Sequence, residues 1–211
     1  MKRKLRLLVA ALVSVMPLNV LRVSLFRTFF GYRIGNSRIG FGTILCVESA
    51  VIRDSRIGPF NVFAGPMRAE IEGATIGSRN SFTCGDWVLD PKVAKPAYTR
   101  TLQIGKEALI TSQHSFDVCA TISIGERSWI AGRHSQFWTH GAGDVGDIQI
   151  GNDCYVGSAV RFASNSGLGK NVLLALGSVV TKRLMEDNAL VGGVPAKVLK
   201  REYHWRKQAG K

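Results

Sequence analysis

Proline is scarce in this 211-residue chain, with 6 residues against 23 glycines. That balance suits many tight corners and excludes a flexible proline-rich linker. Cysteine is sparse too: Cys46, Cys84, Cys119 and Cys154 are scattered, with no Cys-x-x-Cys spacing. Neither a disulfide framework nor a structural zinc site fits, and small buried thiols in a reducing compartment do. No apolar run is long enough to cross a bilayer, since Leu5 to Met16 covers twelve residues before Pro17 interrupts it. Lys2-Arg3-Lys4 ahead of that run imitates a secretory leader, but no small-x-small cleavage site follows. A sustained 3.6-residue apolar stripe is missing from the middle of the chain, which argues against a helix bundle or a doubly wound α/β fold.

Acidic residues are few as well: 15 against 28 Lys and Arg, for a net charge of +13. The excess sits at the ends. Residues 1–33 carry seven bases and no acid, and residues 197–211 carry six bases against Glu202 alone. The body between them is nearly neutral, so the basic groove with interleaved aromatics that nucleic acid requires is missing. Charge at the ends fits an anionic membrane surface or an anionic cofactor. A second apolar stretch, Val20 to Phe30, is punctuated by Arg22 and Arg27 and reads as an amphipathic helix. Residues 1–33 therefore form a basic, apolar helical segment. It either caps the end of the domain or makes a peripheral membrane contact, and the two roles are compatible.

What the chain has in quantity is a repeat of six. Ile39, Leu45, Val51, Ile57 and Phe63 lie six apart, as do Ile150, Val156, Phe162, Leu168, Leu174 and Val180. In the second run the next residues are Gly151, Gly157, Ala163, Gly169, Ala175 and Thr181, mostly small, as sharp backbone corners require. One inward apolar residue per six, followed by a small one, describes short strands joined at corners. Three sides make a coil of about eighteen residues, a parallel β-helix. The Ile-Gly pairs test the coil length. Gly40 to Gly58 and Gly151 to Gly169 are eighteen apart, Gly77 to Gly105 twenty-eight, and Gly125 to Gly151 twenty-six. The long intervals predict loop insertions near 91–100 and 141–148, and solenoid insertions often mark the working face. The β-helix is thus expected over 34–183, followed over 184–211 by a turn and a basic helical tail.

The C-terminal stretch Leu176-Gly177-Ser178-Val179-Val180-Thr181-Lys182, followed by Gly193-Val194-Pro195-Ala196-Lys197, resembles the hexapeptide-repeat acetyltransferases, among them galactoside and maltose O-acetyltransferases and exopolysaccharide acetyltransferases of the colanic-acid type. The resemblance spans about residues 34–201. It implies an all-β, left-handed parallel β-helix, a homotrimer, and acetyl-CoA as co-substrate in a cleft between subunits, with no metal. It also implies CoA contacts at Ser158, in the segment Tyr155-Val156-Gly157-Ser158, at Thr181 and Lys182, and at Lys197 and Lys200. Leu176 stands where the family usually has a small residue against the CoA.

Acetyl transfer to a hydroxyl needs a base near the acceptor oxygen, and neutral imidazole serves at physiological pH. His114 and His140 each lie eleven residues before the glycine of the next Ile-x-Ile-Gly corner, Gly125 and Gly151, which suggests one register on neighbouring turns. The family's catalytic His precedes such a segment. Trp138-Thr139-His140-Gly141 matches it, and Thr111-Ser112-Gln113-His114 matches nearly as well. His140 is the favoured base, with His114 the alternative base or an acceptor-site residue. Asp144 or Asp117 is placed to orient its nearby imidazole, and Trp138 with Phe137 could wall a sugar or pack an interface. The expected function is acetyl-CoA-dependent O-acetylation of a carbohydrate, in polysaccharide biosynthesis, in the cytoplasm at the inner face of the cell membrane. Two alternatives remain: a metalloenzyme of the γ-carbonic-anhydrase type, drawing on His114, His134 and His140, and a non-catalytic trimeric scaffold.

Overall fold

Strands of two or three residues separated by tight corners make up most of the computed structural model, which describes residues 3–208 and Gly210. Lys2 of the basic N-terminal cluster and Lys211 of the tail lie outside the described residues. Successive strands wind into a parallel β-helix of triangular section. The base runs in parallel steps from Arg38–Ile39 to Leu190–Gly193. A front face contains Ser81–Thr83, Ser115–Asp117, Gln136–Trp138, Arg161–Phe162 and Val179–Val180, and a side face runs from Thr101–Ile104 to Arg183–Leu184. In the first coils the strands Ile44–Arg53 and Val62–Glu72 bend across both front and side.

The six-residue phase holds completely in the second run, where all six residues from Ile150 to Val180 are buried. In the first run Val51 breaks it. The register against Val62–Glu72 slips here, Val47 to Ser49 advancing two residues while Gly65 to Arg68 advances three, and the alternation along Ile44–Arg53 changes phase, so Ala50 and Ile52 turn inward and Val51 outward. Five phenylalanines on the front strands stack through the interior: Phe63, Phe82, Phe116, Phe137 and Phe162 have successive centroid distances of 4.4, 4.5, 4.3 and 5.0 Å. This ladder fixes which neighbours on each front strand face outward. The corner glycines are small because coils nearly touch there: a Cβ on Gly151 would come 2.4 Å from the Gly169 carbonyl oxygen.

Both excursions leave the solenoid at the corner where the front face turns into the side face. They occupy 84–100 and 139–147, so the insertions near 91–100 and 141–148 are wider or earlier than the sequence suggests. For the first excursion the reason lies in the glycines. Gly77 follows a base strand whereas Gly105 follows a side strand, so their spacing compares different corners; Gly77 aligns with Thr111, its N–H donating to the Ile110 carbonyl at 2.7 Å.

Helix α1 (Arg3–Ser14) packs on Ile44–Arg53, and α2 (Asn19–Phe30) lies over the first coil, burying Val23 and Phe26. At the other end the solenoid continues past 183 to Gly193. The strand Ala196–Lys200 then folds back antiparallel, and the helix expected in the tail is confined to α3 (Trp205–Gln208). Trp205 is buried, its Nε1–H donating to the Asp153 carbonyl at 2.7 Å. The four cysteines are free and buried.

Candidate active site

On the front face Asp117 pairs across the coils with Trp138, while Phe116 and Phe137 point inward. Alternation therefore turns Asp117 and Trp138 outward at the end of the strand, beside the corner where the chain leaves for its second excursion. His140 is the second residue of that excursion. Its Nδ1 lies 2.7 Å from Asp117 Oδ2. An ionised carboxylate only accepts, so in the neutral ring the shared proton sits on Nδ1 and Nε2 keeps its lone pair. Nε2 makes no hydrogen bond among the described residues, and the imidazole is 30 % exposed while the Asp117 side chain is 13 % exposed. Two groups of Thr139 hold the carboxylate in place, its N–H at 3.2 Å and Oγ1 at 3.0 Å from Oδ2. The first excursion folds back over the site, with the Trp87 ring 4.9 Å from the imidazole and Tyr98 edge-on to Trp87.

Behind the dyad, Cys119 Sγ donates to Asp117 Oδ1 at 3.3 Å and lies 3.8 Å from Cys84 Sγ. The Cys84 contact, burial and the adjacent Asp117 carboxylate hold the Cys119 thiol well above its ordinary range. Asp117, Cys119 and His140 form the one group among the described residues whose potential ligand atoms all lie within 4.8 Å of one another. A metal there would need the Cys119 thiolate, which this surrounding disfavours.

His114 is elsewhere. It lies at the corner between base and front, 1 % exposed, in an inward polar ladder. Its backbone N–H donates to Asn80 Oδ1 at 2.9 Å, as Asn80 N–H does to Asn61 Oδ1. Its Nδ1 accepts from Ser135 N–H at 3.1 Å, and its Nε2 lies 3.0 Å from Thr111 Oγ1. Burial, assisted by His134, lowers its pKa to about 4. The shared register of His114 and His140 therefore fails. The second excursion follows His140 within its coil, so counting back from Gly125 and Gly151 aligns residues at different corners; His114 sits beside Ser135 and His140 beside Cys119. With both ring nitrogens engaged inside the fold, His114 is neither an edge residue nor an available ligand for a three-histidine metal site. His134 is exposed on the same corner as His114.

Each Asp also changes partner. Asp117 holds the distant His140, not the neighbouring His114. Asp144 instead ties down the excursion: its carboxylate accepts from Ser164 Oγ at 2.8 Å and Asn165 Nδ2 at 3.1 Å, bonds that lower its pKa. Phe137 belongs to the internal ladder and walls no site, while Trp138 is outward on the front face.

The residues that the sequence resemblance matches to CoA contacts occupy two edges. Thr181 and Lys182 are exposed on the front–side corner, the edge of His140, two coils further along. Ser158 and Leu176 are on the base–front corner, where Gly177 N–H donates to the Ser158 carbonyl at 2.9 Å and Leu176 is 78 % exposed. Lys197 and Lys200 are exposed on the antiparallel strand that edges the base.

A cavity of about 430 Å³ opens on the His140 edge toward the N-terminus, between α1 and the first excursion, lined by Arg3, Arg6, Arg100, Asp86, Leu89 and Pro66. Arg3 pairs with Asp86, and Arg100 with Glu48 at 2.9 Å. Arg100 N–H also donates to the Cys119 carbonyl at 3.2 Å, which joins this groove to the dyad. The larger concavity, about 770 Å³, runs along the side face away from His140 and is lined by mixed charges such as Glu70, Lys106 and Glu126.

Sequence reasoning missed Trp87, Cys119 and the groove arginines. Trp87 could have been flagged as a large aromatic beside the inserted segment; its meeting with His140 depends on how the excursion folds back.

No family model matches the sequence, and no curated protein sequence matches it. Solved structures do resemble it. The polySia-specific acetyltransferase NeuO aligns at 19% identity over 82% of this chain and 83% of its own, with a TM-score of 0.53. The polysialic acid O-acetyltransferase OatWY aligns at 16% identity over 82% and 83%, with a TM-score of 0.54. A maltose O-acetyltransferase from Clostridium difficile 630 aligns at 16% identity over 95% of this chain and 86% of its own, with a TM-score of 0.53. The chain thus shares the left-handed parallel β-helix fold of the hexapeptide-repeat acetyltransferases.

Proposed function

We propose that this protein is an acetyl-CoA-dependent O-acetyltransferase acting on a carbohydrate, in polysaccharide biosynthesis at the cytoplasmic face of the cell membrane. The observation that carries the reading is the Asp117–His140 pair, 2.7 Å apart, with Nε2 free at a partly open edge. His140 Nε2 takes the proton of an acceptor hydroxyl as that oxygen attacks the thioester carbonyl. Asp117 keeps the ring tautomer and stabilises the imidazolium that forms. The tetrahedral adduct collapses, the carbon–sulfur bond breaks, and the departing CoA sulfur recovers the proton from His140. The products are the acetyl ester and CoA.

The acceptor enters from the Arg3–Arg100 groove past Trp87. Acetyl-CoA takes the C-terminal half of the edge, with Thr181 and Lys182 near the pantetheine and phosphates, and Ser158, Leu176, Lys197 and Lys200 completing its site. Those residues lie on two edges of one chain. A homotrimer accounts for this, the Ser158–Leu176 edge of one copy facing the His140 edge of the next; the exposed Leu176 and Val194 suit such a cleft. Trp138 on the front face and Asp144, through the excursion it ties down, shape the acceptor side.

The test is release of CoA from acetyl-CoA in the presence of nucleotide-linked and lipid-linked sugars. His140→Ala lowers turnover by about 10²- to 10⁴-fold. Undiminished turnover in that variant would overturn the assignment of the base, and failure of acetyl-CoA to bind the native protein in a calorimetric titration would overturn the reaction.

A further inference from the structure

The two N-terminal helices differ sharply between their inner and outer sides. Inward, Val13, Val23 and Phe26 join the core, and Arg22 Nε donates to the Ile39 carbonyl at 2.9 Å. A cap over the first coil needs that side alone. Outward, Leu5, Leu8, Leu12 and Val15 recur at three- and four-residue spacing, so they form one stripe along α1 and its end. Each is about half exposed, and Leu18 and Val20 continue the apolar surface through the turn into α2, still more exposed. An apolar patch of this extent on a water-facing helix marks an interaction surface.

The charge around it indicates what covers it. Lys4 flanks the stripe on α1, and Arg33 and Arg38 are exposed on the coil beneath α2, while residues 1–33 contain no acid. A second copy of the chain on this patch would set like charges against one another. An anionic surface would meet them favourably. No helix among the described residues is long and apolar enough to cross a membrane.

We propose that α1 and the α1–α2 turn form a docking face for an anionic lipid surface, lying in the plane of the interface. The leucine stripe enters the headgroup boundary, and the basic residues meet lipid phosphates. Arg3 and Arg6 of the same helix border the groove that Arg100 ties to the Cys119 carbonyl on the His140 edge, so docking sets that groove against the headgroups. A membrane-borne acceptor would then reach the dyad without leaving the surface.

The test is co-sedimentation of the full chain with phosphatidylcholine vesicles, with and without about one-third phosphatidylglycerol. Binding to the anionic vesicles is expected, and it should weaken when ionic strength rises from about 0.1 M to about 1 M. Leu8→Glu/Leu12→Glu should reduce vesicle binding by at least about tenfold. Both side chains are exposed, so the thermal midpoint should be unchanged, and acetyl transfer to a soluble sugar serves as a second check that the variant is folded. Absence of binding to anionic vesicles would overturn the proposal, as would binding that the double variant retains. An oligomer that the same substitutions dissolve would identify a second copy as the occupant and equally overturn it. Vesicle binding is read without any acetyl transfer, so its failure is distinguishable from failure of the proposed reaction.

Discussion

Replacing His114 with Asn probes the burial that separates the two histidines. Asn61 and Asn80 hold the corresponding ladder positions in preceding coils, so Asn is the residue this site can accept with least disturbance. In the native chain His114 titrates at about 4, against about 6.5 in an unfolded chain. Between those values the unfolded chain binds a proton that the buried ring refuses. The unfolding free energy therefore rises with pH across this window; it is complete above about pH 6.5 and is lost as the pH falls toward about 4. A shift of that size corresponds to about 3 kcal/mol at most. Urea unfolding of both proteins at about pH 4.5 and about pH 7 isolates the term, because carboxylates common to both cancel in the difference. Acidification should cost the native protein about 2–3 kcal/mol more than His114→Asn. Equal pH slopes in the two proteins would refute the burial argument. Turnover at neutral pH should survive in the variant, and a loss of orders of magnitude there would return His114 to the reaction.

Two further outcomes follow from the same geometry. Asp117→Asn removes the carboxylate that fixes the His140 tautomer, and kcat for acetyl transfer should fall by about 100-fold or more with the KM for acetyl-CoA little changed; a change within about twofold would show that the carboxylate plays no part. Phe137→Ala opens a gap between Phe116 and Phe162 in the stacked ladder, and denaturant unfolding should register a loss of about 3–5 kcal/mol. A loss below about 1 kcal/mol would mean that the neighbouring rings close the gap.

Much of the architecture was legible in the residues. The run from Ile150 to Val180 identified six inward positions, because in short strands the side-chain direction depends only on near neighbours in sequence. Val51 departs from the six-residue pattern for the complementary reason: the alternation changes phase between Val47 and Ala50, where the register against Val62–Glu72 slips, and every side chain from there to the next corner is inverted. His140 was legible as a candidate, since Trp138-Thr139-His140 ends a front strand and opens an excursion. Its partner was not. Asp117 lies in the coil before it, and sequence proximity suggested Asp144, which instead bonds Ser164 and Asn165.

By itself the sequence determined the six-residue period, the small corners, the existence of two excursions and the basic, apolar character of the N-terminus. These are properties of composition and local spacing. Only the tertiary structure decided which histidine reaches an edge and which is buried. An excursion lengthens the spacing by the same amount at whichever corner it leaves, so a count along the chain cannot locate it. Stacking the coils does locate it: it places His114 in the inward Asn61–Asn80 ladder and brings His140 to Asp117 at the front–side corner.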